Sequence, residues 1–156
     1  MKKIGKAIAK RFTDAGAAVV IVGRNKEKLE SAAAEISSPR LECMQWDISD
    51  LSLCESNFKR AAELIGGLDG FVNAAALGSA VVTGRGYEPW DITEEEWDTL
   101  TDVNFKAAFF MMRNEVDFMR ARGIRGNILN IASNAACMDI IGSYGAAKQA
   151  VIKWTR

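Results

Sequence analysis

The chain has 156 residues, 49% hydrophobic and 26% charged, enough apolar material for one domain with a real core and too much for a disordered segment. Twenty basic and twenty acidic residues give a formal net charge of zero, so no global field draws the chain to nucleic acid and no basic run suggests a membrane surface. Cys43, Cys54 and Cys137, widely spaced and free of any Cys-x-x-Cys pattern, argue against a disulfide framework or a zinc site; buried reduced thiols and a start without an apolar leader give a cytoplasmic expectation.

In chain order, Ile4, Ile8 and Phe12, with small residues between them, repeat at helical spacing up to Gly16, a left-handed stop. Ala18-Val-Val-Ile-Val22 is a β-branched run too short for a helix and apolar on both faces, as buried parallel strands are. A helix is expected over about Lys26 to Ile36, a strand through Leu41 to Trp46, and a helix from about Leu51 to Leu64 stopped by Gly66-Gly67. Asp69-Gly-Phe-Val-Asn73 reads as another buried strand. Thr93-Glu-Glu-Glu96 is a capping box that opens a long helix ending near Gly123. Gly126 to Ala132 reads as a last strand, followed by a loop and a helix carrying Tyr144 and Lys148.

Strands alternating with helices on short loops demand right-handed crossovers, so the expected fold is α/β, a doubly wound parallel sheet in a single domain over residues 1–156. In such sheets ligands bind at the carboxyl ends of the strands. Those ends hold Gly23-Arg24, Asp47, Asn73-Ala-Ala-Ala76 and Ser133. The loop from Leu77 to Trp90, with Gly78, Gly84 and Gly86, is long enough to be a lid or a plain surface loop. Trp90, Met138, Ile140 and Ile141 either line a pocket or cover core.

Tyr144-Gly-Ala-Ala-Lys148 stacks a phenol and an ammonium on one helix face, one turn apart. A fixed cation stabilises a phenolate and makes the phenol a usable proton donor. The chain contains no histidine, so proton transfer falls to Tyr, Lys, Cys or a carboxylate.

Taken together and in order, these residues resemble the short-chain dehydrogenase/reductase family, in its simple alcohol/ketone branch. Ile4-Gly5 is similar to the tail of the family's Thr-Gly-x-x-x-Gly-Ile-Gly turn, Asp47-Ile48 sits where family members contact adenine, and Asn73-Ala74-Ala75-Ala76 is similar to Asn-Asn-Ala-Gly. Asn104, Ser133, Tyr144 and Lys148 match the four catalytic positions. The resemblance implies that Tyr144 supplies the proton, Ser133 hydrogen-bonds the substrate oxygen, and Lys148 assists Tyr144 and holds the nicotinamide ribose. It implies that Asn104 orders the relay from a helix irregularity. Ile4, Gly5, Arg24, Asp47, Ile48, Asn73, Ala74 and Ala75, with Tyr144 and Lys148, are the expected cofactor contacts. Arginine at position 24, where an acid would accept from a ribose 2′-hydroxyl, favours NADP over NAD.

Ser133 and Asp47 also fit duller roles as caps, Asn104 as a satisfied core amide, and Cys137 as a small filler. Against the family pattern, Met1 falls inside the glycine-rich turn, Lys3 replaces a glycine, and Arg156 falls inside the helix of Lys148. The first strand, which would lie between the strands at Val19 and Phe71, and the C-terminal strands are therefore expected to be missing, leaving a gap in the sheet. The expected activity is interconversion of a ketone and a secondary alcohol on a small molecule, impaired in a fragment, with a homo-oligomer expected of the full-length form. A non-catalytic relative that associates through the unpaired edges is the alternative. An epimerase or dehydratase shares the Tyr/Lys pair.

Overall fold

The computed structural model describes residues 3–85, 90–137 and 142–155; Gly86, Met138, Ile140 and Ile141 lie outside the described residues. The chain forms two compact units, one running up to Phe71 with Asn114–Asn127 added, the other comprising Val72–Arg113 and residues from Ile128 onward.

The first unit alternates helix and strand: α1 (Lys3–Asp14), β1 (Val19–Gly23), α2 (Lys26–Ile36), β2 (Leu41–Gln45) and α3 (Cys54–Ile65). The β-branched run of β1 pairs in parallel with β2, Val19 opposite Leu41 and Gly23 opposite Gln45. Asn25 starts α2 by accepting from Lys28 N at 2.7 Å, satisfying an otherwise unpaired helix amide. Ala9, Ile21, Leu29, Ala32 and Ile36 form a buried cluster, with Val19 and Leu41 against it. Trp46, Phe58 and Phe71 stack edge to face at 5.9 Å and 5.6 Å between ring centroids, the favoured aromatic geometry. Gly66 ends α3 at φ +77°, a conformation that suits glycine.

One helix expectation holds and two local expectations need correction. The helix expected from the Ile4–Ile8–Phe12 spacing is α1, whose buried side is made by Ala9 and Thr13 while Ile4 is 58% and Phe12 44% exposed. Those short side chains let α1 pack close to α2, a contact also pinned by the Lys6–Glu35 ion pair. In β1 only Ile21 is buried, the other four residues being half-buried, because β2 is its sole ladder partner among the described residues. Of the cysteines only Cys54 is buried, while Cys43 and Cys137 are exposed. Cys43 alternates with buried Met44 on β2, as the pleat requires; desolvation, then the charges of Glu42 and Glu30, raise its thiol pKa.

β3 (Gly70–Asn73) and β4 (Asn127–Asn130) form the other two-stranded sheet. Asn127 N donates to Asp69 O in the first unit and Ile131 N to Asn73 O in the second, each at 3.0 Å, so both strands advance in the same direction. Among the described residues the strands make two two-stranded sheets, β1 with β2 and β3 with β4. At Gly126 an added Cβ would lie 2.4 Å from the Asp69 carbonyl oxygen and 2.4 Å from Met119 Cε, so only glycine fits there.

The second unit carries α4 (Ser79–Thr83), α5 (Glu94–Thr101), the first turns of α6 (Ala108–Ala121) and α7 (Ser143–Trp154). The capping box at Thr93 is present, Glu96 N donating to Thr93 Oγ1 at 3.2 Å and Thr93 N to Glu96 Oε2 at 3.0 Å. The expected long helix is interrupted by a π-helical segment, Asp102–Ala107, between α5 and α6. The short helix α4 lies in the loop after Leu77, where no helix was expected; Gly84 ends it at φ +68°.

Candidate functional site

In the second unit, α7 packs against the π segment and against the 3-10 turn Asn134–Ala136 that follows Ser133. The elements bearing Asn104, Ser133, Tyr144 and Lys148 are thereby neighbours. Lys148 is 4% exposed, and its Nζ donates to the Ile131 carbonyl just past β4 at 2.9 Å. That bond offsets part of the cost of burying an ammonium. The same Nζ lies 6.0 Å from the centroid of the half-buried Tyr144 ring on the same helix.

Asn104 sits in the π segment and is 1% exposed. A π turn is where a helix tolerates an amide turned away from its own ladder. Its Oδ1 accepts from Leu77 N at 2.9 Å and its Nδ2 donates to Leu77 O at 2.8 Å. Every position of the carboxamide that faces Leu77 is used, and the backbone just after Asn73-Ala-Ala-Ala76 is fixed by it. Leu77 and the Ile131 carbonyl are site elements that residue types could not reveal, since both act through backbone atoms.

Ser133 caps the 3-10 turn, its Oγ accepting from Ala135 N at 3.2 Å and lying 3.3 Å from Asn134 Oδ1. The duller role therefore exists, and the hydroxyl is half-buried on the turn that α7 packs against. Asn73 is 7% exposed, and its Nδ2 reaches Asn130 Oδ1 at 3.4 Å, while Asn130 Nδ2 donates to Thr155 Oγ1 at 3.1 Å. Its side chain ties β3 to β4. Ala74 is half-buried and Ala75 exposed. Trp90, 85% exposed, covers no core.

In the first unit, Arg24 follows β1, and Asp47-Ile48 follows β2 after Trp46. Arg24 Nη1 is 3.8 Å from Asp47 Oδ2. A guanidinium and a carboxylate at the carboxyl ends of adjacent parallel strands form a donor and acceptor set that fits the adenosine end of a dinucleotide. Gly5 is half-buried and Ile4 exposed in the first turns of α1, where helix amides favour an anion.

One buried group escaped the reading of the residues. Glu115 on α6 is 0% exposed, and neither carboxylate oxygen has a hydrogen-bond partner among the described residues. Desolvation raises its pKa from 4.5 to about 7. The visible signal was a carboxylate among Met111, Phe118 and Met119, all buried on the same helix.

A family profile described as short chain dehydrogenase matches residues 1–156. An uncharacterized oxidoreductase of Staphylococcus aureus is 32% identical over 151 residues, covering 95% of this chain and 62% of the relative. The galactitol 2-dehydrogenase of Agrobacterium fabrum is 33% identical over 156 residues, covering 98% and 58%. The crystal structure of a short chain dehydrogenase from Mycobacterium smegmatis superposes with a TM-score of 0.86 at 29% identity, covering all of this chain and 65% of that one. The chain thus spans about 60% of the length of the curated relatives it matches. No helix among the described residues is long and apolar enough to cross a membrane. Family profile, sequence and fold agree: the chain belongs to the short-chain dehydrogenase family, a lineage of oxidoreductases with a Rossmann-like α/β fold.

Proposed function

We propose that the protein is an NADP(H)-dependent oxidoreductase that interconverts a ketone and a secondary alcohol on a small molecule. The observation that carries this reading is the Tyr144/Lys148 pair on α7, with the buried ammonium anchored on the Ile131 carbonyl beside the turn of Ser133. When bound, the nicotinamide would supply or accept the hydride.

This chain's residues then do the rest. Tyr144 gives the proton to the oxygen that gains negative charge, and Ser133, turned from its cap, donates to the same oxygen. Lys148, anchored on the Ile131 carbonyl one turn along from Tyr144, holds the nicotinamide ribose. Asn104 acts as a positioning residue through Leu77, and the backbone of Asn73, Ala74 and Ala75 borders the cofactor. In the first unit, Ile4 and Gly5 offer helix amides to phosphate, Asp47 and Ile48 meet adenine, and Arg24 meets a 2′-phosphate, which supports NADP over NAD. Cys43, Cys54 and Cys137, none of them in a disulfide among the described residues, suit a reducing, cytoplasmic setting. A homo-oligomer is part of the proposal for the working enzyme.

Titrating the purified chain with NADPH and assaying reduction of a ketone panel tests it. Tyr144→Phe is expected to keep NADPH binding and lose turnover by at least 100-fold. Retained turnover in that variant would refute the proton-donor role, and absence of NADPH binding accompanied by association would favour a non-catalytic relative.

A further inference from the structure

The carboxyl ends of β1 and β2 hold a relationship that an arginine alone does not describe. Gly23 and Gln45 face each other at the end of the parallel ladder, so the residues that follow, Arg24 and Asp47, emerge at one edge. Their backbones are held: Trp46 N donates to Gly23 O at 3.1 Å, and Gln45 Nε2 donates to Arg24 O at 2.9 Å. The Asp47 carboxylate is held as well. Its Oδ1 accepts from Ser49 N at 3.0 Å and from Ser49 Oγ at 2.7 Å, which leaves Oδ2 facing Arg24 Nη1 at 3.8 Å. The two side chains are 56% and 43% exposed, so the pair itself is weak and the guanidinium is free to turn.

An anion that comes to this guanidinium meets a carboxylate that cannot retreat. Ser49 holds one oxygen, and the other lies 3.8 Å from the cation. A phosphate within hydrogen-bond reach of Arg24 would sit on the order of 6 Å from Asp47, where its repulsion in water-like surroundings amounts to about tenfold in affinity before salt. Screening at physiological salt lowers that to roughly threefold to tenfold, since the Debye length there is about 8 Å. A nucleotide with a free 2′-hydroxyl carries no such charge and meets no such opposition.

We propose that Asp47 is a specificity-determining residue that opposes the 2′-phosphate, so that the preference between phosphorylated and unphosphorylated nucleotides is set by the Arg24–Asp47 pair and not by Arg24 alone. This rests on the reading that Arg24 receives a 2′-phosphate. Asp47 brings two nucleotides closer in affinity that Arg24 would otherwise separate.

The test is calorimetric titration of the chain with adenosine 2′,5′-bisphosphate and with 5′-AMP, in wild type, Asp47→Asn and Arg24→Ala, at 50 mM and 500 mM salt. Asparagine keeps an oxygen for Ser49, and Asp47→Ser serves as a second variant if circular dichroism shows the first to be unfolded. The expected result is that removing the carboxylate raises the bisphosphate-to-AMP affinity ratio about threefold to tenfold at low salt, with the gain shrinking at high salt. An unchanged ratio in the folded Asp47 variants, with a ratio that falls in Arg24→Ala, overturns this inference and leaves the NADP reading standing. A ratio indifferent to Arg24, or no binding of either nucleotide, overturns both.

Discussion

The carboxamide of Asn104 grips the backbone of Leu77 at both of its polar atoms, with Leu77 N to Oδ1 at 2.9 Å and Nδ2 to Leu77 O at 2.8 Å. Two hydrogen bonds in a site that is 1% exposed leave no water to replace them. Asn104→Ala is therefore expected to destabilise the chain by about 2–4 kcal/mol, the cost of stranding a buried donor and acceptor. Urea unfolding measures it. A loss under about 0.5 kcal/mol, within the noise of such measurements, would mean the loop is held by something else.

Glu115 makes stability depend on pH. Its folded pKa of about 7 lies above the ordinary 4.5, so between those values the native state holds a proton that the unfolded chain releases. Native stability then falls as pH rises from about 4.5 through about 7, and levels off above, for a total loss of roughly 3 kcal/mol. Glu115→Leu should flatten that slope and be the more stable protein at pH 8, because no charge is forced into the interior. Unfolding curves at pH 5 and pH 8 on both proteins decide the matter; parallel pH slopes would rule out Glu115 as the source.

Phe58 touches both Trp46 and Phe71 edge to face and is 5% exposed. Replacing it with alanine opens a cavity between two rings and is expected to cost about 3–5 kcal/mol. A fluorescence shift of the Trp46 environment should accompany the loss in thermal melts. A Phe58→Leu variant, which refills much of the space, should recover at least half of it.

Gly126→Ala should be almost as harmful through the opposite fault. The new methyl meets a backbone oxygen at 2.4 Å, and the Asp69 carbonyl cannot rotate away without giving up its bond from Asn127 N. A loss of about 2–3 kcal/mol is expected, with Gly126→Val worse still. Equal melting temperatures for wild type and Gly126→Ala would show that this strand approach is looser than described.

Local patterns located most elements because they depend on neighbours in sequence. The Val19–Val22 run, the Thr93 box and Gly66 each carry their own instruction, and each element formed there. The fold class was legible from alternation alone. What stayed hidden depends on distant partners: Ile4 and Phe12 have a helical period that says nothing of which side meets α2, and the Leu77 backbone carries no side-chain signature for its grip by Asn104. In the candidate site, the spacing of Tyr144 and Lys148 was readable, whereas the anchoring of Lys148 on Ile131, 17 positions away, was not. Glu115 was overlooked because a lone carboxylate reads as solvated until burial is seen.

The π turn at Asp102–Ala107 has a consequence for the whole rod from Glu94 to Ala121. Its wider loop absorbs one surplus residue, so everything beyond Ala108 is rotated about 100° from where a uniform α-helix would carry it. Deleting a single residue there would let the helix regularise at little local cost, yet the buried Ala108 and Met111 would swing toward solvent. Phase along this rod, more than composition, keeps its inner side inside.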